Sequence, residues 1–252
     1  MKNRTLLAIS GLDPTGGAGM AMDIRVATAY GFLCAPIVTG LAIQTNDEGI
    51  SLEATNSKNF SLMLDCALST KPLAVKIGML ANSPNAEIVS DKLSGISGLQ
   101  VVLDTVLASS SGMPLIDVSG IEIMKKRLIP IAAVFTPNWP EASVLSGRTI
   151  ESLSDAIDCA KALFDEFNSP VLLTGGHCPG KPVDILVDSD GVVELPSEKI
   201  PGSFRGTGCA LSMMITAELA EGRSLRRAVL SARECLAASM ANSTQPYITI
   251  TC

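Results

Sequence analysis

The sequence predicts an α/β fold in which helices cover a mostly parallel sheet. Short, wholly apolar runs recur along the chain and read as strands buried on both faces. Stretches with helical spacing separate those runs, and turns rich in glycine, proline and asparagine punctuate both. Length and composition agree: 252 residues with 47% hydrophobic and 17% charged side chains, 21 Gly and 14 Pro describe a compact chain, neither disordered nor fibrous.

Residues 5–10 form the first expected strand, closed by Gly11. A breaker-rich loop over residues 13–19 leads into a helix over residues 20–30, stopped by Gly31. Further strands are expected over residues 35–44, 74–79, 101–104, 133–136 and 171–174. Helices are expected between them, over residues 58–69, 84–93, 120–128 and 154–167. Two extended pieces stand outside the alternation, residues 49–54 and residues 183–195, the second turning at Asp188-Ser189-Asp190-Gly191 as a hairpin; such pieces serve as flaps or nucleotide rests. Residues 207–242 read as two helices hinged near Gly222-Arg223-Ser224, with Ser224 as an N-cap. No repeat, low-complexity tract or linker interrupts this order, so one domain over residues 1–252 is expected.

Several functions are disfavoured at once. Aromatic residues make up 4% and the net charge is −6, which supplies neither stacking platforms nor the basic surplus of a nucleic-acid binder. No apolar run reaches the roughly 18 residues of a membrane span. Seven scattered cysteines, none spaced C-x-x-C, suggest neither a disulfide framework nor a zinc site, and a reducing cytoplasmic location is expected.

Ligands of an open parallel sheet bind beyond the carboxyl ends of its strands, which directs attention to the residues after each apolar run. The loop Gly16-Gly17-Ala18-Gly19 either lets backbone amides approach an anion or is simply a tight turn; it has neither the P-loop spacing nor a clean dinucleotide fingerprint. Residues 205–211 are sharper, because glycines precede an apolar helix whose first turn leaves N–H groups unpaired, as a phosphate requires. Cys209 falls in that turn, where the helix dipole is expected to lower its pKa; the other reading is a small buried hydrophobe. Asn138 and Glu141, set among Pro137 and Pro140, either hold Mg2+ through water or cap the following helix. Asp104 at a strand end likewise serves a metal or satisfies loop amides. His177 is the only histidine, which removes two-histidine metal sites and places it at a turn facing a ligand. Lys125-Lys126-Arg127 and Arg226-Arg227 read as solvated helix faces.

With these residues placed, the chain resembles the ribokinase-like superfamily and, within it, the hydroxymethylpyrimidine and phosphomethylpyrimidine kinases of thiamin biosynthesis. The resemblance runs nearly end to end, through residues 11–19 with Asp23, residues 38–44, residues 76–80, Leu103-Asp104, residues 136–142, Gly175-Gly176-His177 and Gly206-Thr207-Gly208-Cys209. Cysteine at position 209 discriminates best, since sugar kinases and most pyridoxal kinases of the superfamily carry aspartate there. The resemblance implies a three-layer sandwich with small flap strands and a homodimer. It also implies that Asp23 and Gln44 read an aminopyrimidine ring near Gly11 and Met79. Gly206, Thr207, Gly208 and Cys209 are then the anion hole for the transferring phosphoryl group, and Asp104, Asn138 and Glu141 arrange Mg2+. Nucleotide contacts fall to Thr174, Gly176 and Arg205.

The chain also departs from the family pattern. Thr174 stands where lysine is common and Arg205 where histidine is common, and Arg205 is expected to restore part of the missing charge. Leu12, Ala21, Met22, Thr45 and Thr105 differ as well. The implied reaction is transfer of the ATP γ-phosphoryl group to a pyrimidine hydroxymethyl oxygen or to the phosphate already on it, with Cys209 thiolate as base for the alcohol. Pyridoxal kinase, a kinase confined to the monophosphate step, and a pyrimidine sensor with degenerate catalysis are the alternatives.

Overall fold

The computed structural model describes residues 4–45, 47–176, 180–244 and 246–251. Asn46, His177 and Cys178 lie outside the described residues, and with them the reading of His177. Nine strands form a single sheet in the order β3-β2-β1-β4-β5-β6-β7-β8-β9. The central strands β1 (Thr5–Leu12), β2 (Leu33–Gln44), β4 (Ala74–Ile77), β5 (Gln100–Leu103), β6 (Val134–Phe135) and β7 (Val171–Leu173) run parallel. Antiparallel pieces close both edges: β3 (Gly49–Ala54) on β2, and the hairpin β8 (Val183–Asp188) with β9 (Gly191–Pro196) on β7. Both extended pieces expected outside the alternation therefore belong to the sheet, where each supplies ladder partners to an otherwise open edge strand.

The apolar runs are apolar because each strand buries both faces. Leu7, Ile9, Val75, Ile77, Val101 and Leu103 point to one layer, and Leu6, Ala74, Val102 and Leu172 to the other, the period of two expected for strands. The first layer is built on α2 (Ser57–Ser69), α3 (Ser83–Leu93), α5 (Trp139–Ser146) and α6 (Leu153–Phe167). The second is built on α1 (Gly19–Ala29), α7 (Thr207–Ala220) and α8 (Leu225–Ala241). Each fully buried Leu, Ile or Met contributes about 1.5–3 kcal/mol of transfer free energy. Helix α7 is buried at every position from Ala210 to Leu219, as a helix apolar on all sides must be.

Local chemistry sets the element ends. Asn56, Asn82, Asp117 and Ser152 each accept a backbone N–H at a helix start. Ser224 occupies the N-cap position of α8 with extended backbone, yet its hydroxyl makes no capping bond. The helix expected over residues 120–128 is shorter: α4 (Val118–Ile123) passes into a π-helical turn at Met124–Leu128 and a 3-10 turn at Ile129–Ile131, where Pro130 has no N–H to continue an α-helix. Cys34, Cys66, Cys159 and Cys209 are free thiols, and Cys235 is disulfide-bonded. No helix among the described residues is long and apolar enough to cross a membrane.

The hairpin is tied to α8 by charge. Arg226 donates to both oxygens of Asp188, at 2.8 and 2.6 Å, and this holds the Asp188 carboxyl below its ordinary value. A depressed folded pKa contributes stability that is present above the unfolded value and is lost as pH falls through the folded one. Arg226→Ala is therefore expected to flatten the acid-side fall in melting temperature below about pH 4. Thermal melts of both proteins across that range check it, and parallel slopes refute it.

Candidate active site

Because six strands are parallel, their carboxyl ends share one edge of the sheet. Gly11, Met79, Asp104, Asn138 and Thr174 all lie there. Two glycine-rich segments meet above that edge. Gly206 is the N-cap of α7 with φ +73°, and a Cβ placed on it would sit 2.2 Å from the carbonyl oxygen of Gly17. Only glycine permits both that backbone and that approach. The first bond of the helix ladder runs from the Ala210 N–H to the Gly206 carbonyl, 2.8 Å, and no side chain caps the helix. The amides of Thr207 and Gly208 consequently face the edge at the positive end of a 14-residue helix, with Gly208 exposed.

Beside this turn lies a buried cluster of four groups. Lys76 Nζ is 3.0 and 3.1 Å from the two carboxylate oxygens of Asp23 and 3.8 Å from Asp104 Oδ2. Asp104 also accepts from Ser212 Oγ at 3.3 Å, and Cys209 stands close enough for Lys76, Asp104 and Asp23 to act electrostatically on its thiol. Burial disfavours the Lys76 charge, but the anionic groups around it hold its pKa above the ordinary lysine value. One ammonium faces two carboxylates, and burial pushes Asp104 up.

Cys209 behaves contrary to the dipole expectation. Burial pushes its thiol up to about 12, with Asp104 and Asp23 adding to the rise and Lys76 and the Gly19 amide opposing it. The resting group is a thiol, and the expected thiolate is corrected. The helix end acts on it, but the loss of water and two nearby carboxylates outweigh that contribution.

Asn138 and Glu141 form a reciprocal capping box at the start of α5: Asn138 Oδ1 accepts the Glu141 N–H and Glu141 Oε2 accepts the Asn138 N–H, each at 2.9 Å. Thr105 Oγ1 also donates to Glu141 Oε2, at 3.4 Å. Burial, helped by the Asp104 charge, pushes Glu141 up to about 8. Buried carboxylates short of positive charge are a donor set that suits a hard dication keeping some of its own water. Among the described residues no group of three His, Cys, Asp or Glu side chains can hold a metal, and the Asn138 oxygen is committed to the cap. The fit to Mg2+ thus falls to Asp104 and Glu141 acting through water.

The remaining expected residues are more dispersed. Asp23 is completely buried and bonded to Lys76. Gly11 lies against Met79, whose Sδ would be 2.6 Å from a Cβ at that position, and the Met79 carbonyl accepts from Thr39 Oγ1. Gln44 is half-buried at the end of β2, paired with Gly49. Thr174 donates from its backbone N–H to the Pro137 carbonyl and bridges to Asn138; Gly176 is exposed. Next to them the Gly175 N–H donates to Asp184 Oδ1 at 2.7 Å, and Arg233 Nε holds the same carboxylate from α8 at 2.7 Å. Arg205 is 3.4 Å from Asp13 Oδ2 with 12% of its side chain exposed. Its guanidinium is paired with Asp13 across the two glycine segments.

Sequence reasoning missed Lys76 and Asp13. The signal for Lys76 was a lone charge inside the apolar run Ala74-Val75-Lys76-Ile77. Asp13 accepts from Thr15 N and Oγ1 in a tight turn, which the Asp-Pro-Thr sequence signals. A separate cavity of about 680 Å3, lined in part by Asp188, Arg223 and Arg226, opens at the opposite end of the sheet.

Unbonded amides at a helix start, pressed against a second glycine loop and next to buried carboxylates, are fitted to hold a phosphoryl group, and the class so defined is a kinase of α/β architecture. A family model described as phosphomethylpyrimidine kinase matches residues 13–249, and the chain belongs to that family. It is 35% identical over 240 residues to a hydroxymethylpyrimidine/phosphomethylpyrimidine kinase of Aquifex aeolicus (strain VF5), covering 94% of each chain. It is 32% identical over 246 residues to one from Staphylococcus aureus (strain MSSA476), covering 95% of this chain and 89% of that one. Among solved structures, a phosphomethylpyrimidine kinase from Clostridium difficile 630 superposes with TM-score 0.82 at 28% identity over 94% of this chain and 99% of the other. Pyridoxal kinase from Staphylococcus aureus in complex with AMP-PCP and pyridoxal superposes with TM-score 0.89 at 26% identity, over 100% of this chain and 94% of the other.

Proposed function

We propose that the protein transfers the γ-phosphoryl group of ATP to 4-amino-5-hydroxymethyl-2-methylpyrimidine, to its monophosphate, or to both. The observation that carries this reading is the uncapped first turn of α7, held against Gly17 and flanked by Asp104 and Cys209. Membership of the phosphomethylpyrimidine kinase family supports the substrate. The acceptor oxygen attacks the γ-phosphorus, the bond to the β-phosphate oxygen breaks, and ADP leaves. Charge building on the phosphoryl oxygens meets the amides of residues 206–209. Mg2+ bound through Asp104 and Glu141 would neutralise phosphate charge.

An alcohol acceptor must also lose a proton. Cys209 Sγ is the group offered to it, and with the Asp104 carboxylate beside it the thiol can accept that proton as its own passes to the carboxylate. A phosphate acceptor is already anionic and needs no such transfer. A second copy of the chain completes the reading, since Leu41, Ile43 and Ile50 expose apolar side chains on the β2–β3 edge.

The likeness to pyridoxal kinase favours a second reading, phosphorylation of a pyridine alcohol. ADP release measured with the pyrimidine alcohol, its monophosphate, pyridoxal and pyridoxine separates the two. Highest kcat/KM on a pyrimidine is expected. Preference for pyridoxal supports the second reading, and tight pyrimidine binding without ATP turnover marks a sensor and ends both.

A further inference from the structure

We propose that Lys76 is a positioning residue serving both ends of the active site: its buried ammonium fixes Asp23 and, with it, the Asp104–Cys209 pair beside the phosphoryl cradle. The inference rests on the kinase reading above. Strand β4 points Lys76 to the layer shared by α1 and α7, where its strand neighbours are Ala74 and Val102. An apolar residue there would suit the layer, and a lysine with zero exposure brings a desolvation cost of several kcal/mol. The surroundings are arranged to accept it. A Cβ on Gly78 would come within 2.6 Å of Nζ and 3.1 Å of Ser10 Oγ, so the glycine leaves the ammonium its place.

The contacts run through four elements. From β4, Nζ reaches both oxygens of Asp23 on α1 at 3.0 and 3.1 Å, and Oδ2 of Asp104 after β5 at 3.8 Å. Ser212, one turn into α7 from Cys209, donates to that same Asp104 oxygen. A Cβ on Gly208, beside Cys209 in the first turn of α7, would stand 3.8 Å from the other Asp104 oxygen, Oδ1. Without the ammonium, Asp23 and Asp104 confront each other in a dry interior, and relief requires one to move. Asp104 is tied to α7 through Ser212, so its movement displaces the first turn that carries Cys209, and a misplacement of about 1 Å at a reacting group is worth about 100-fold in rate.

Lys76→Met alone leaves two buried carboxylates uncompensated and endangers folding, so the decisive comparison is D23N/K76M against D23N, which removes the ion pair together. In the double variant kcat is expected to fall about 100-fold below that of D23N, with the KM for ATP changed by no more than about threefold. The two melting temperatures are expected within about 4 °C. Equal kcat values in the two proteins would reduce Lys76 to a counter-ion of Asp23 and overturn the inference. Should the double variant not fold, Lys76→Arg keeps the charge but brings a planar head into the space beside Gly78; a fall of about tenfold in kcat at unchanged KM for ATP is expected, and wild-type kcat overturns the inference. If the wild type releases no ADP with any acceptor of the panel, the kinase reading fails and takes this inference with it.

Discussion

Replacing Gly206 with alanine is expected to lower kcat/KM at least about 100-fold on alcohol and monophosphate alike. The residue sits at φ +73°, where a side chain adds about 1–2 kcal/mol of strain, but strain is the smaller part. The new Cβ would lie 2.2 Å from the Gly17 carbonyl oxygen and 3.1 Å from the Ala18 Cα, and both are main-chain atoms with no rotamer to yield. Either the start of α7 or the Gly16–Gly19 segment must withdraw, and the amide cradle opens. Gly222→Ala is the control: its φ is +80° with nothing within 4 Å of the added methyl, so strain acts alone, far from the cradle. Steady-state kinetics on both substrates with matched thermal melts provide the check. Gly206→Ala turning over like Gly222→Ala would remove the cradle from the mechanism.

Cys209→Ala is expected to separate two reactions that share everything else. Loss of a positioned proton acceptor is worth about 10²–10⁴-fold, and that loss should fall on the alcohol. The monophosphate reaction should retain its rate to within about tenfold, because the backbone amides are unchanged and no proton need be removed. The thiol is held neutral near neutral pH, so the alcohol rate should depend on the Asp104 carboxylate beside it and not on a standing thiolate. Rates on both acceptors, measured at saturating ATP, decide the matter; equal retention of both ends the proton-acceptor assignment.

What could be read beforehand followed from how each residue is buried. Strands covered on both faces must be apolar throughout, so residues 5–10 and 101–104 announced β1 and β5 almost to the residue. Helix α5 was visible only as a cap at Asn138, because eight residues opening on Trp139-Pro140 are too few to display a period. The π-helical turn at Met124–Leu128 was hidden for the opposite reason: one extra residue per turn hardly disturbs an apolar spacing. At the site, the glycines before α7 were legible since local backbone geometry demands them. Long-range chemistry was not. Arg205 and Asp13 stand 192 positions apart, and nothing near Cys209 in the sequence shows that Asp23 and Asp104 will raise its pKa.

The enclosure of α7 has a bearing on how this enzyme can change over generations. Past its first turn the helix has no wet face and offers almost no position at which drift is harmless, so the body that anchors the phosphate-handling turn is frozen by the needs of the interior. Change is better tolerated at exposed or half-buried positions of the same sheet edge, such as Leu12 and Gln44. The grip on the phosphoryl group can thus stay untouched while those positions vary.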